Sequence, residues 1–531
     1  MQTSTSPQLP SLGRLMAPDR DRPCLPELPP QFSSRSPEGR QFFQRLSQRR
    51  GLVQLLGLSG SSTSVPESPR PAPRRQALKT LLNRVSFGWT ADEYAHARTL
   101  GYDAYLEEQL DPASIDDSAC DLLLANLPTI YLSPKQLAEQ YTDQTGEPFF
   151  ELKSAALVRA VFSKHQLFER MCELWNDHFN IYHLKGIGWS LLPEHDLQVV
   201  RQNALGNFPD LLRATAKSSA MLHWLDNWVN TAGAPNENYA RELFERHSLG
   251  LDNGYTEADI SAAARALSGW TLVTDENSPD HLQPIFDPSL HAPGPKTVLA
   301  VTIPADPPEG QLDAVIDLIA MHPNTARTVA TKLVSRFLNE NPPASIVDQV
   351  TQVYLATGGD IKAMLRVILA RPNLYWRSTV YGLKFRRPFH HVAAMLRGFG
   401  LQLTNPFYAM GYLYRMGHMP FDWPRADGYP DTVEAWTGVM LPRIALPSFL
   451  LTGFFPGVEG LDGVLASLAP YTGENVAGLA QRVNERLLGG ALPNEDLSAI
   501  QTCLDDLAPL DDEKVMEGTA IAASAPGYQW Y

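Results

Sequence analysis

Ala234-Pro-Asn-Glu-Asn-Tyr-Ala-Arg-Glu-Leu-Phe-Glu-Arg-His-Ser-Leu-Gly250 holds a whole short helix in one stretch. Asn236 supplies the start, because a short polar side chain can accept one of the orphan N–H groups of a first helical turn. Gly250 supplies the stop, since glycine tolerates the left-handed conformation that often ends a helix. Between them the residues read as core. Three polar side chains, Glu242, Glu245 and His247, interrupt that core at unusual density.

Working outward, the same helical rhythm recurs. Ala77, Leu78, Leu81, Leu82 and Val85 repeat at three- and four-residue spacing. Thr90 with Glu93 three residues on forms a capping box for the next helix. Leu152 to Phe179 reads as one long amphipathic helix, and Phe208 to Val229 as a further helical region. Thr256 and Asp259 open a helix that ends near Gly269. From Asn277 to Pro308 the chain is proline-rich and irregular, because proline removes a donor and clashes with the preceding turn. Helices are expected again at Leu312–Met321, Thr325–Leu338, Ala344–Leu355 and Ile361–Leu369. Another follows Phe385, then a long aromatic loop at Pro406–Trp436 and a set of short helices. Alternation at period two is scarce. The fold class is therefore mainly α: a large multi-helix globular protein with long ordered loops and a disordered N-terminal arm.

The arm covers residues 1–75 and is rich in Pro, Ser and Arg, a composition that buries too little apolar surface to offset ordering. Inside it, Arg49-Arg50 and the apolar run Leu52–Leu58 resemble a twin-arginine export signal, though Gln54 interrupts the run and no A-x-A site follows. A short amphipathic helix is the other reading of that segment. If the signal works the protein is periplasmic or exported; otherwise it is cytoplasmic. The rest divides into an N-terminal helical half, 76–310, carrying the candidate site, and a C-terminal half, 311–531.

A net charge of −14 on 531 residues argues against nucleic acid as a partner, because neutralising phosphates needs a concentrated basic face. No apolar run reaches the length of a transmembrane helix. Cys24, Cys120, Cys172 and Cys503 are too few and too scattered for a disulfide scaffold. They read as free thiols.

No HExxH, Walker-type, GxSxG or CxxC template occurs. What remains is a constellation. Glu242 and Glu245 stand three apart on one helical face, as carboxylate ligands in helical metal sites do. His247 lies about 140° around the helix from Glu242, so it joins them only where the helix ends. His178 and His291 complete a candidate centre for a divalent metal ion. The same residues have a structural reading: Arg241–Glu245 and Glu242–Arg246 are i,i+4 pairs of a solvated helix. His178 beside Trp175 reads equally well as a hydrogen-bonded core residue. His390-His391 are adjacent on a helix and point in different directions, which works against joint chelation.

The order of motifs resembles the bacterial family known as domain of unknown function 1800. The matching pieces are Leu82-Asn-Arg-Val-Ser-Phe-Gly88, Trp175-Asn-Asp-His-Phe179, Asn203-Ala-Leu-Gly-Asn-Phe208, Pro235-Asn-Glu-Asn-Tyr-Ala-Arg-Glu-Leu243 and His247-Ser-Leu-Gly250. Ala264-Arg-Ala-Leu-Ser-Gly-Trp270, His291-Ala-Pro-Gly-Pro-Lys296, Lys332-Leu333, Gly428-Tyr-Pro-Asp-Thr432 and Ala525-Pro-Gly-Tyr-Gln529 continue the series, so the resemblance spans about residues 76–531. The family often has histidine where Asn176 stands, and His-Asp where this chain has His291-Ala292. The resemblance implies a large helical bacterial protein, often exported or paired with an exported partner of the sulfatase/alkaline-phosphatase-like domain of unknown function 1501 family. It implies no established reaction. Two functions stay open: an envelope-associated accessory or interaction protein working with that partner, or a metal-dependent enzyme with a His/Glu centre between helices.

Overall fold

The rhythm that begins at Ala77 becomes the Ala77–Val85 helix, and Thr90 caps the Ala91–Leu100 helix with Glu93 reaching back to the cap. The computed structural model describes residues 77–143, 145–375, 384–453, 455–471, 478–490 and 492–531. The arm, its Arg49-Arg50 segment and Cys24 lie outside the described residues. Helix dominates throughout, as the periodicity predicts. The helices expected from Leu312 to Leu369 fall at Gly310–Ala320, Pro323–Phe337, Ala344–Thr357 and Ile361–Ile368. Thr256 and Asp259 form a second capping box, at the start of Glu257–Leu267.

Several expectations need correction. Leu152 to Phe179 is two helices, Glu147–Phe162 and Gln166–His178. The break is held from both sides. The Gln166 amide donates to the carbonyls of Ala160 and Ser163, closing the end of the first helix. The Asp117 carboxylate takes the Ser163 hydroxyl and the Lys164 N–H, both at 2.7 Å. The helical region from Phe208 is likewise divided, into Phe208–Lys217, Ser219–Trp224 and a 3-10 turn at Asn227–Val229. The irregular stretch after Asn277 contributes three-residue strands. Pro284–Phe286 pairs antiparallel with Trp270–Leu272, and Lys296–Val298 with Val301–Ile303. Strands so short cannot display alternation. The aromatic loop also shrinks, because Pro406–Arg415 is a helix with Asn405 as its cap and proline in its first turn, where the missing N–H costs nothing.

Among the described residues the apolar interior gathers into a small cluster of Phe385, Tyr429, Val433, Trp436 and Trp530 and two large ones. One is built from residues between Ala77 and Leu374. The other is drawn chiefly from Phe389 to Tyr528, with Phe87, Leu157, Ala160 and Val161. The Glu147–Phe162 helix serves both: Leu152, Ala155 and Val158 face the first cluster, and Leu157, Ala160 and Val161 the second. A helix with apolar residues on two faces has to bury both. It forms the shared wall between the two cores. Cys120 and Cys172 are buried free thiols, Cys503 is buried as well, and no described helix is long and apolar enough to cross a membrane.

Candidate functional site

The Gln166–His178 helix carries Glu169, Glu173 and Asp177 at four-residue steps, which places three carboxylates along one face. Each meets cations from a distant part of the chain. Glu169 takes Arg201 through two contacts of 2.5 and 2.9 Å. Glu173 accepts from His390 Nε2 at 2.8 Å and pairs with Arg387 at 3.2 Å and Arg336 at 3.5 Å. Asp177 Oδ2 accepts from both Arg387, at 2.6 Å, and Arg336, at 3.0 Å. Asp431 extends the network through Lys384 at 2.8 Å and Arg336 at 3.6 Å.

These partners are placed by simple devices. Arg336 and Lys332 stand one turn apart on the Pro323–Phe337 helix, so one face delivers both cations. Arg387 is the residue before the Pro388–Gly398 helix, and His390 lies in that helix's first turn. Asp431 and Tyr429 arrive on the loop that starts at Gly428. That glycine has φ +70°, and a Cβ on it would lie 1.9 Å from the Asp177 carbonyl oxygen. The loop thus lies directly on the end of the carboxylate helix.

Burial decides the charge states. Desolvation works against a charged Glu173, but Arg387, Arg336 and Arg170 outweigh it and hold its carboxyl below the usual range. Asp431 is held low in the same way, by Lys384 and Arg336 against its burial. The imidazoles go the other way: burial, then nearby arginines, pushes His390 and His418 well below their ordinary value. His418 stands 2.6 Å from Arg387 Nη2 and is neutral as its acceptor. Removing one member of such a network leaves a buried charge without its partner, which is costlier than never having built the pair.

A second polar group adjoins this one. Lys332 Nζ donates to His178 Nδ1 at 2.8 Å, and His178 Nε2 donates to the His247 carbonyl at 3.1 Å. Those two bonds fix one neutral tautomer of His178. Burial lowers the Lys332 ammonium to about 8 and His247 to about 3. The His178 and His247 rings are 6.2 Å apart, and neither His247 nitrogen has a hydrogen-bond partner among the described residues.

The remaining expected site residues have other partners. Glu245 lies 3.4 Å from Arg241 and Glu242 lies 3.8 Å from Arg246, the two i,i+4 pairs legible in the sequence. Burial raises the Glu242 carboxyl. His291 closes its own loop: its Nδ1 donates to the Ser268 carbonyl at 2.8 Å, and its Nε2 accepts from Lys296 at 3.1 Å. Lys296 also donates to the carbonyls of Ala292 and Gly294. The structure therefore brings His178 and His247 together and engages Glu242, Glu245 and His291 elsewhere. Among the described residues, no group of three His, Cys, Asp or Glu side chains is placed to hold a metal ion.

Sequence reasoning missed Glu173, Asp177, Arg336, Arg387, His390 and Asp431 as one cluster. Two signals pointed to them. One is the four-residue carboxylate spacing on a helix that also carries Trp175. The other is that the pieces carrying the family resemblance meet here. Asp177 and His178 come from one piece, Lys332 from a second, Asp431 from a third, and Trp175 donates to the Ala204 carbonyl of a fourth at 3.0 Å.

Beside the network lies a cavity of about 60 Å³, whose wall includes Asn176, Asp177, Asn180, Asp196, Phe421 and Tyr429.

Neither a curated protein nor a solved structure matches this chain. One family model does, over residues 80–530, which covers every residue of the site. The chain belongs to the family described as protein of unknown function (DUF1800).

Proposed function

We propose that this chain is an accessory protein of the bacterial envelope, acting through association with an exported sulfatase/alkaline-phosphatase-like partner of the domain of unknown function 1501 family. One observation carries the reading. Most charged and imidazole groups of the network are engaged with one another, as in Glu173 with Arg387 and His390 or Asp177 with Arg336. Groups so engaged fix the relation of packed elements to one another, which is what a binding scaffold requires. The family's usual company supplies the partner class. The test is co-expression of the full chain with that partner from the same cell, followed by purification through a tag on this chain. The two are expected to elute as one species from the envelope fraction. Elution as two separate species would overturn the reading.

A second reading, a metal-dependent enzyme, draws on a specific feature. His247 keeps both ring nitrogens without a partner in the interior, and the buried Tyr239 hydroxyl beside it is also unpartnered among the described residues. Buried polar atoms are rarely left so. A metal ion bound by His247 would account for the imidazole, and the metal content of the protein separates the two readings.

A further inference from the structure

We propose that His322 is an acid-sensitive cap, which on protonation releases the first turn of the Pro323–Phe337 helix from the chain turn at 249–254. The inference goes beyond the accessory reading and does not depend on it. His322 stands just before the helix in extended backbone, with φ −69° and ψ 138°, and Pro323 fills the first helical position. Proline has no N–H, so the first donor of the helix is the N–H of Asn324. It donates to His322 Nδ1 at 3.1 Å.

An imidazole nitrogen accepts only while it carries no proton. Once protonated, Nδ1 meets the Asn324 N–H with a hydrogen of its own. It also sets a positive charge at the helix end where the backbone dipole opposes one. Both effects loosen the first turn. Other caps lack this chemistry: Ser133 and Thr256 cap through a hydroxyl, Asn236 and Asn405 through an amide oxygen. None of those takes up a proton where histidine does. His322 is half-buried and faces uncharged groups: Asn324, the Ile319 carbonyl that accepts its N–H at 3.2 Å, and the Gly254 backbone. Burial lowers its titration below the ordinary histidine value, and no charged side chain among the described residues adds to that shift. The folded chain thus binds this proton less readily than the unfolded one. The cap contributes fully above about pH 6.5, and its contribution drains as the pH falls toward the folded value.

The contacts of the first turn give the device its reach. Asn324 Nδ2 donates to the Asn253 carbonyl at 2.8 Å, and the Thr328 hydroxyl to the Leu249 carbonyl at 2.9 Å. A Cβ on Gly254 would lie 3.0 Å from Asn324 Nδ2, so turn and helix are in close contact. Leu249 and Gly250 end the segment that carries His247. Fraying at His322 therefore frees the 249–254 turn first. Lys332 and Arg336 stand later in the helix and keep their bonds to His178 and Asp177.

Hydrogen exchange of the full chain at pH 7.5 and 5.0, read by mass spectrometry and corrected for intrinsic rate, tests this. The partner variant is His322→Asn, whose amide oxygen caps without titrating. In the unmodified chain, protection of the segment 322–329 is expected to fall at least about fivefold on acidification. The segment 256–263, capped by the Thr256 hydroxyl, should lose less. In His322→Asn the loss at 322–329 should shrink to less than about twofold. An equal loss in the two segments, an equal loss in the two proteins, or no loss in the unmodified chain would each overturn the proposal. Should His322→Asn fail to fold, the two segments compared within the unmodified chain still decide.

Discussion

Gly428→Ala is expected to destabilise the protein by about 3 kcal/mol or more, with the unfolding temperature falling by several degrees. Two costs add. The φ of +70° strains any residue with a Cβ by about 1–2 kcal/mol. The new methyl would also sit 1.9 Å from the Asp177 carbonyl oxygen and 2.8 Å from its carbon, both backbone atoms that cannot swing aside. The loop must then lift from the helix end, carrying Tyr429 and Asp431 away from the network. Gly438→Ala is the control, because nothing lies within 4 Å of its added Cβ. Thermal denaturation of the two variants side by side should show a large shift for the first and almost none for the second. Equal shifts would mean that the loop is not held against the helix.

Acid should unfold the protein well above the range where carboxylates protonate. Burial lowers His195 to about 4 and His247 to about 3, from an ordinary value of 6.5. Burial likewise holds His178, His390 and His418 well below that value. A histidine kept neutral in the fold binds its proton more readily in the unfolded chain, so the native state carries fewer protons. Stability from these groups is full above pH 6.5 and drains as the pH falls toward their folded values. By pH 4.5, His195 and His247 alone should each have lost roughly 2–3 kcal/mol. Native proteins hold only about 5–15 kcal/mol in all. Unfolding temperature measured from pH 7 to 4 should therefore drop steeply between 6.5 and 4.5. A flat profile over that interval would contradict the buried, neutral assignment.

The parts of this structure that could be read in advance are local. The Thr90–Glu93 and Thr256–Asp259 caps close within three residues, and the Arg241–Glu245 and Glu242–Arg246 pairs within four. Spacing alone determines such contacts. The network around Glu173 joins residues 217 positions apart at His390, and Asp177 reaches Arg387 across 210. No periodicity encodes that pairing; it follows from which faces two cores bring together. The helix break at Ser163 was hidden for the same reason, since Asp117, a residue of another segment, turns the chain there. Pro406 misled in a different way. Proline and clustered aromatics resemble a loop, yet proline also fits the first turn of a helix, and Asn405 provides the cap.

The central proposal is that the imidazole and carboxylate groups of this site act by fixing the packing of a binding scaffold. Elemental analysis of the full chain, purified without chelators or added metal, tests it most directly when repeated on His247→Ala. Well under one metal ion per chain is expected, unchanged by the substitution. One bound transition-metal ion per chain in the unmodified protein, lost in His247→Ala while the variant stays folded, would contradict the claim and establish the metal-dependent reading.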